Sequence, residues 1–286
     1  MTESHAGTLY VVASPIGNAQ DLSPRALETL RTADLVLAED TRSARKLLDG
    51  HGIDRRTQSC FDANEPARAA QAAALLRSGA SIALLSEAGT PTVSDPGYRV
   101  VRAAIAAGAR VVPVPGPSAV LAALVGSGLP TDRFFFVGFP PRKTGARKGL
   151  LAQLASLPAT LVFFESPHRV AATLLDLSAV LGKERPACVA RELTKTHEEF
   201  VRGTLAELAE RYASERPLGE VTLVVGGAAE EAGEGDGQCD EEIRARARSL
   251  LASGMSARDA ADALASETGR PRRETYRLVL DLRARE

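Results

Sequence analysis

Four short apolar runs, at residues 8–13, 34–38, 81–85 and 110–114, constrain the fold more than any other feature of this chain. Each is continuous rather than alternating, and rich in Val, Leu and Ile. That is the pattern of strands buried on both faces of a parallel sheet. Turn clusters and helical periodicity fill the gaps, with helices expected at 24–31, 42–48, 65–78 and from 98 to 107. Ser23-Pro24 reads as the N-cap and first residue of a helix. Strand and helix in alternation mean βαβ units, so the class is α/β.

Pro113, Pro115 and Pro117 interrupt this pattern, and a domain boundary is expected there. Beyond it, a small-residue helix at 118–126 leads into strands at 134–137, 161–164, 187–191 and 221–225. Helices at 147–156, 168–181 and 205–211 lie between them, as a second α/β layer. The expected domains are therefore 8–115 and 116–227. Residues 228–239 are rich in Gly, Ala and Glu and read as a flexible linker. From residue 243 to the end, ten Arg face six acids, a reversal of sign that marks a separate segment, 240–286. Three helices fit it, at 240–252, 256–266 and 272–283. Ser256 is the N-cap of the middle one with Asp259 at N3, Gly269 ends it, and Pro271 starts the last. Three short helices with a tight turn are helix-turn-helix-like.

Composition excludes several classes. The formal net charge of −1 gives no global footprint for nucleic acid, so any such contact must be local. The cysteines, Cys60, Cys188 and Cys239, are scattered, which fits a reducing cytoplasm and no disulfide framework. With no CxxC and four His in all, no metal is expected. No apolar run reaches about 18 residues, so no membrane span is expected. Residues 1–7 are polar and not a signal peptide.

Chemistry is expected at strand ends, where helix N-termini converge. Residues 14–18 (SPIGN) form such a βα turn, and neither GxGxxG nor a P-loop is present. Residues 86–97 are twelve residues of turn chemistry, and loops of that length tend to be functional. Asp95 in that loop is positioned to cap the following helix. Glu39 and Asp40 beside Arg42 suit either acid/base work or a helix N-terminus. His168 follows another strand end, as a base or as a helix residue. No Ser-His-Asp or Cys-His arrangement supports nucleophilic hydrolysis.

In this order the segments 9–18 (LYVVASPIGN), 38–42 (AEDTR), 86–98 (SEAGTPTVSDPGY), 112–119 (VPVPGPSA), 128–134 (GLPTDRF), 164–169 (FESPHR), 190–196 (ARELTKT) and 219–225 (GEVTLVV) resemble the tetrapyrrole methylase superfamily. Within it they resemble the branch that methylates a cytidine 2′-oxygen in small-subunit ribosomal RNA. The tail from residue 254 (GMSARDAADALA) is similar to that branch's C-terminal helices. The resemblance implies a two-domain fold with S-adenosylmethionine in the cleft between the domains. It also implies a homodimer, no metal, and 16S rRNA at the decoding centre as partner. By motif, Pro15 and Gly17 would line one wall. Glu87, Ala88, Gly89 and Thr90 would hold the ribose and methionine part. Ser118 and Ala119 would face the cofactor, and Glu165 and Glu220 would lie beside it. The family pattern has Asp or Asn where this chain has Glu87, which shifts the binding toward the backbone.

Methyl transfer from a sulfonium is an in-line displacement that depends on positioning. A ribose hydroxyl is a poor acid, so a base or a nearby cation assists. Glu39, Asp40, Glu192 and Lys195 are the candidates. RNA phosphates would be gripped by Arg142, Lys143, Arg147 and Lys148, and in the tail by Arg270, Arg272 and Arg273. Two other readings use the same sequence: a methyltransferase acting on a corrin precursor, with no need of the basic tail, and a non-enzymatic nucleic-acid-binding regulator, with no need of the cleft loops.

Overall fold

The computed structural model describes residues 6–229, 234–268, 270 and 272–283. The chain divides after Gly227 into two compact units. In the first, β1 (Thr8–Val12), β2 (Leu35–Ala38), β3 (Thr57–Ser59), β4 (Ser81–Leu85) and β5 (Arg110–Val114) form one sheet ordered β3-β2-β4-β1-β5. Every pairing in it is parallel. The four apolar runs supply its four longer strands, and β3 is an additional edge. The runs are continuous because both faces are covered. Val36, Ala38, Ala83 and Leu85 pack under α1 (Pro24–Thr32) and α2 (Thr41–Gly50). Leu35, Leu37, Ile82 and Leu84 pack under α3 (Glu65–Arg77) and α4 (Tyr98–Ala106).

Local chemistry sets the helix starts. Ser23 Oγ accepts from Ala26 N at 3.1 Å with Pro24 at the first position. The start of α4 departs from expectation, since Asp95 does not cap it. Gly97 occupies the cap at φ 125°, and the buried Glu65 carboxylate, from α3, accepts from Gly97 N at 3.0 Å and Arg99 N at 2.7 Å. A distant carboxylate thus replaces the local one, which frees Asp95 for the loop. Glu65→Ala is expected to destabilise the protein by about 1–2 kcal/mol, as loss of a good N-cap does. A lowered urea midpoint at unchanged slope would show it.

The second sheet of this unit comprises β6 (Phe134–Gly138), β7 (Thr160–Glu165), β8 (Pro186–Arg191), β9 (Glu199–Thr204) and β10 (Val221–Val225), ordered β6-β7-β10-β8-β9. Only β6 and β7 pair in parallel. One face carries α6 (Thr144–Leu154), α7 (Val170–Leu181) and α8 (Leu205–Ser214) over Leu161, Phe163, Val189 and Leu223. The other carries α5 (Ala119–Ser127), whose Val120 and Leu124 cluster with Val162, Cys188 and Val224. Ile16, from the loop after β1, joins that same cluster. A loop of the first sheet is therefore seated on the face of the second.

The second unit is three helices, α9 (Glu234–Ala252), α10 (Ala257–Thr268) and α11 (Arg272–Arg283). Ile243, Ala247, Leu250, Ala260, Leu264 and Val279 make its core. Ser256 accepts from Asp259 N at 3.2 Å, as its N-cap reading requires. The helix α9 begins at Glu234, inside the stretch expected to be linker. Glycines in a helix cost about 1 kcal/mol each, and Gly235 and Gly237 do not stop this one. Gly269 and Pro271, read as helix punctuation, and residues 230–233 of the expected linker lie outside the described residues.

Candidate active site

The loops after β1, β4 and β5 leave the same edge of the first sheet and are stitched together. Ser14 and Gly89 exchange two backbone hydrogen bonds, of 2.8 and 3.0 Å. Ser14 Oγ donates to Ser86 O at 3.1 Å. Thr90 Oγ1 donates to Pro117 O at 3.4 Å. Between these loops and the second sheet lies a cavity of 310 Å³, at the lower end of the small-molecule range of about 300–1,000 Å³.

Of the expected cofactor residues, Ala88, Gly89, Thr90, Ser118, Ala119, Glu165 and Glu220 line this cavity. Pro15 and Gly17 do not; Ile16, between them, takes the wall position. A Cβ on Gly17 would overlap Lys195 and Thr194, so Gly17 serves the packing of two loops. Glu87 is also absent from the lining. Gly89 sits at φ +75°, where a residue without Cβ lets backbone come close to a ligand. Phe139 and Phe164, 5.5 Å apart between ring centres, form an apolar shelf. Ser118 caps α5, accepting from Leu121 N at 3.4 Å.

Glu165 is buried, and its oxygens are taken. They accept from Thr173 Oγ1 at 2.6 Å and Ser166 N at 2.8 Å, and Arg169 lies at 3.3 Å. Arg169 also donates to Pro140 O at 2.7 Å. The side chain of Glu165 therefore sets the shape of the 164–167 wall. His168 contacts Arg216 and is not among the lining residues.

The four catalytic candidates separate into three environments. Asp40 caps α2, accepting from Arg42 N at 2.7 Å, and binds the Arg42 guanidinium at 2.9 Å. Of the two readings of this pair, the helix N-terminus holds for Asp40. Glu192 and Lys195 meet Glu220: Lys195 Nζ lies 2.8 Å from Glu192 and 3.1 Å from Glu220. The Lys195 hydrogen bond holds the Glu192 carboxyl below its ordinary range. Burial opposes the Lys195 charge, but the bonds to Glu192 and Glu220 outweigh it and raise its pKa. Glu192 is thereby a weaker proton acceptor than an ordinary carboxylate, and Lys195 stays charged. Glu39 is raised, first by burial and then by Asp95, Glu87 and Asp62.

Sequence reading missed Asp95 as a site residue. It lines the cavity. Burial, with the charge of Glu87 added and a hydrogen bond from Ser86 opposing, raises its carboxyl to about 6. Among the described residues, the non-glycine positions at positive φ are Thr92, Ser94, Glu192 and Thr194. All four lie in the two loops that hold Asp95 and the Glu192–Lys195 pair, and such strain gathers at functional sites.

Among the expected RNA contacts, Arg142, Lys143 and Lys148 are exposed. Arg147 is not a surface cation. It is 3% exposed, and its guanidinium lies 2.6 Å from the buried Asp176. In the second unit Arg272 is exposed but donates to Asp262 at 2.6 Å. Arg270 is half-buried and Arg273 exposed. Among the described residues no His/Cys/Asp/Glu group is placed to hold a metal, and no helix is long and apolar enough to cross a membrane.

Comparison with known proteins gives the family. The family model "Tetrapyrrole (Corrin/Porphyrin) Methylases" matches residues 8–209, which covers the first sheet and the second up to α8, short of β10. The chain belongs to the tetrapyrrole methylase family. Two curated relatives in this family are each called "Ribosomal RNA small subunit methyltransferase I". The one from Synechocystis sp. is 47% identical over 97% of this chain and 99% of its own length. The one from Mesorhizobium japonicum is 50% identical over 96% and 92%. Solved methyltransferase structures share the fold. The Thermus thermophilus uroporphyrin-III C-methyl transferase complexed with S-adenyl homocysteine aligns with TM-score 0.54 at 23% identity, over 77% of this chain and 97% of that one. The methyltransferase CobJ aligns with TM-score 0.58 at 20% identity, over 78% and 95%.

Proposed function

We infer that this chain is an S-adenosylmethionine-dependent methyltransferase that methylates a cytidine 2′-oxygen in 16S rRNA at the decoding centre of the small subunit. The observation that carries the reading is the near full-length likeness to the ribosomal RNA methyltransferases, which includes the basic helical tail beyond the family match. A corrin-precursor enzyme would have no use for that tail, and a DNA regulator none for the cavity. The reading includes a homodimer in the cytoplasm, and a domain division at 115/116 between the sheets.

The cavity residues fit the cofactor. Backbone at Ala88, Gly89 and Thr90, open at the glycine, and the capped start of α5 at Ser118 and Ala119 would hold its polar parts. The Phe139–Phe164 shelf would take its flat apolar face. When bound, S-adenosylmethionine supplies an electrophilic methyl group. The residues of the chain do the rest. Asp95 accepts the ribose hydroxyl proton, since a carboxyl raised toward neutrality is a better base than an ordinary one. Glu87 favours that proton by repulsion. Lys195 lies outside the lining but is bonded to the lining Glu220, and its charge would favour the oxygen as it loses its proton.

The test uses tritiated S-adenosylmethionine, the purified chain, and small ribosomal subunits from cells lacking the gene. Label on one cytidine ribose after nuclease mapping is the expected result. No label on subunits or naked RNA, with cofactor still bound, would overturn the RNA reading.

A further inference from the structure

We propose that the groove between α2 and β3 binds the phosphate backbone of the substrate RNA, on the first-sheet side of the cavity mouth. The proposal rests on the RNA reading above and adds a site to it. The groove measures 580 Å³ and is lined by Thr41, Arg42, Arg45, Lys46, Asp49 and Thr57. Its charge follows from helix periodicity. Ala44 and Leu48, four apart, are the buried stripe of α2. Arg42, Arg45, Lys46 and Asp49 fall at i, i+3, i+4 and i+7 on the opposite, exposed side. Three cations and one acid thus share one face. Arg55 and Arg56, exposed just before β3, extend the basic surface.

Folding does not account for this arrangement. The first turn of α2 holds no acid, although the positive end of a helix favours acids there and disfavours cations. Asp40 at the N-cap offsets the dipole and Arg42, so the surplus positive charge of this face comes from Arg45 and Lys46. Two exposed cations on one helix face attract anions. Arg42 is forked to the Asp40 carboxylate. Arg45 sits 3.7 Å from a fully exposed Asp54, and an exposed pair of this kind is weak. Arg42 and Arg45, three residues and about 4.5 Å apart along the axis, present guanidinium groups toward neighbouring phosphates.

Position points to RNA as the source of those phosphates. The helix starts two residues after Glu39, which feels the charge of the cavity-lining Asp95. Arg42 feels Glu87, the neighbour of the lining residue Ala88. On the second-sheet side, Arg142 and Lys143 follow the lining residue Phe139 by three and four positions. A strand delivering its ribose to the cavity would be held from both sides of the mouth.

The test compares the full-length chain with Arg45→Gln/Lys46→Gln, which removes charge while keeping helix formers, and with Arg45→Glu/Lys46→Glu. Binding to unmodified 16S rRNA is measured across salt concentrations, with S-adenosylmethionine affinity and melting temperature alongside. Expected for the Gln pair is RNA affinity about tenfold lower at low salt, and a salt slope shallower by about 1 to 1.5, as for two lost phosphate contacts. Cofactor affinity and melting temperature stay unchanged, and the Glu pair binds RNA more weakly still. Unchanged RNA affinity and slope in both variants, while the original chain binds and methylates RNA, would overturn this site alone. An original chain that binds cofactor but neither binds nor methylates RNA overturns the RNA reading, and this site with it.

Discussion

Asp95→Asn is expected to slow methyl transfer about 10²–10⁴-fold, the usual worth of a positioned general base, and at pH 7 to make the protein more stable. Both effects come from one environment. Burial first, and then Glu87, raises the Asp95 carboxyl to about 6 against the pull of the Ser86 hydrogen bond. An unfolded Asp titrates near 4, so the folded chain binds this proton more tightly than the unfolded one. The group's contribution to stability is therefore full below about pH 4 and is lost as pH rises through about 6. At pH 7 the folded protein keeps an ionised carboxylate where burial and Glu87 disfavour it. Asn keeps the shape and removes the charge. Transfer by the unchanged chain should rise with pH around 6, and the residual rate of the variant should lack that rise. Single-turnover rates at saturating cofactor, paired with thermal melts of the same samples, check both halves. A variant that methylates normally would sink the base assignment. One that loses stability at pH 7 would sink the electrostatic account.

This trade of stability for chemistry bears on what could be read without a structure. The four apolar runs were legible because α1 and α2 cover one face of their sheet and α3 and α4 the other, so burial leaves no alternation to misread. The strands β3 and β9 were not. Both are edges, and their sequences, TQS and EFVRGT, are largely half-exposed, so polarity there resembles loop. The cavity-lining segments Ala88–Thr90 and Ser118–Ala119 were legible as motifs at strand ends. Asp95 was not, because its raised carboxyl comes first from burial and then from Glu87, eight residues earlier in the same loop. In one dimension it is an acid shortly before a helix, which reads as a cap. The true cap, Glu65, lies 32 residues before Gly97. Arg147 carried a signal that the basic run around it obscured. It falls at i, i+4 and i+7 with Leu151 and Leu154, the buried face of α6.

That buried Arg147 sets the largest stability effect expected in the molecule. Asp176→Ala should destabilise the first unit by about 3–5 kcal/mol, the range for leaving a buried charge without its partner. For a unit of this size, that lowers the melting temperature by about 10 °C or more. Arg147 Nη2 and Nε lie 2.6 and 2.7 Å from Asp176 Oδ2, and Nη1 donates to Arg142 O at 3.2 Å. The guanidinium therefore ties α6 and α7 to the loop that carries Arg142 and Lys143. The two single variants should not be equal. Lys148 Nζ stands 3.5 Å from Asp176 Oδ1 and is half exposed, so in Arg147→Met the carboxylate keeps a cation. In Asp176→Ala the guanidinium keeps only backbone oxygens, and the loss is greater. The double variant Arg147→Met/Asp176→Leu removes both charges into an apolar surround of Leu151, Leu174 and Leu177. It should recover most of the lost stability, because a well-packed apolar pair often matches a buried ion pair. Thermal melts of the three variants give the order directly. Equal losses in the singles would show that Lys148 does not compensate. A double variant as unstable as Asp176→Ala would show that the pair holds the 142–147 loop in a way that packing cannot replace. In that case RNA affinity should fall with it, through Arg142 and Lys143.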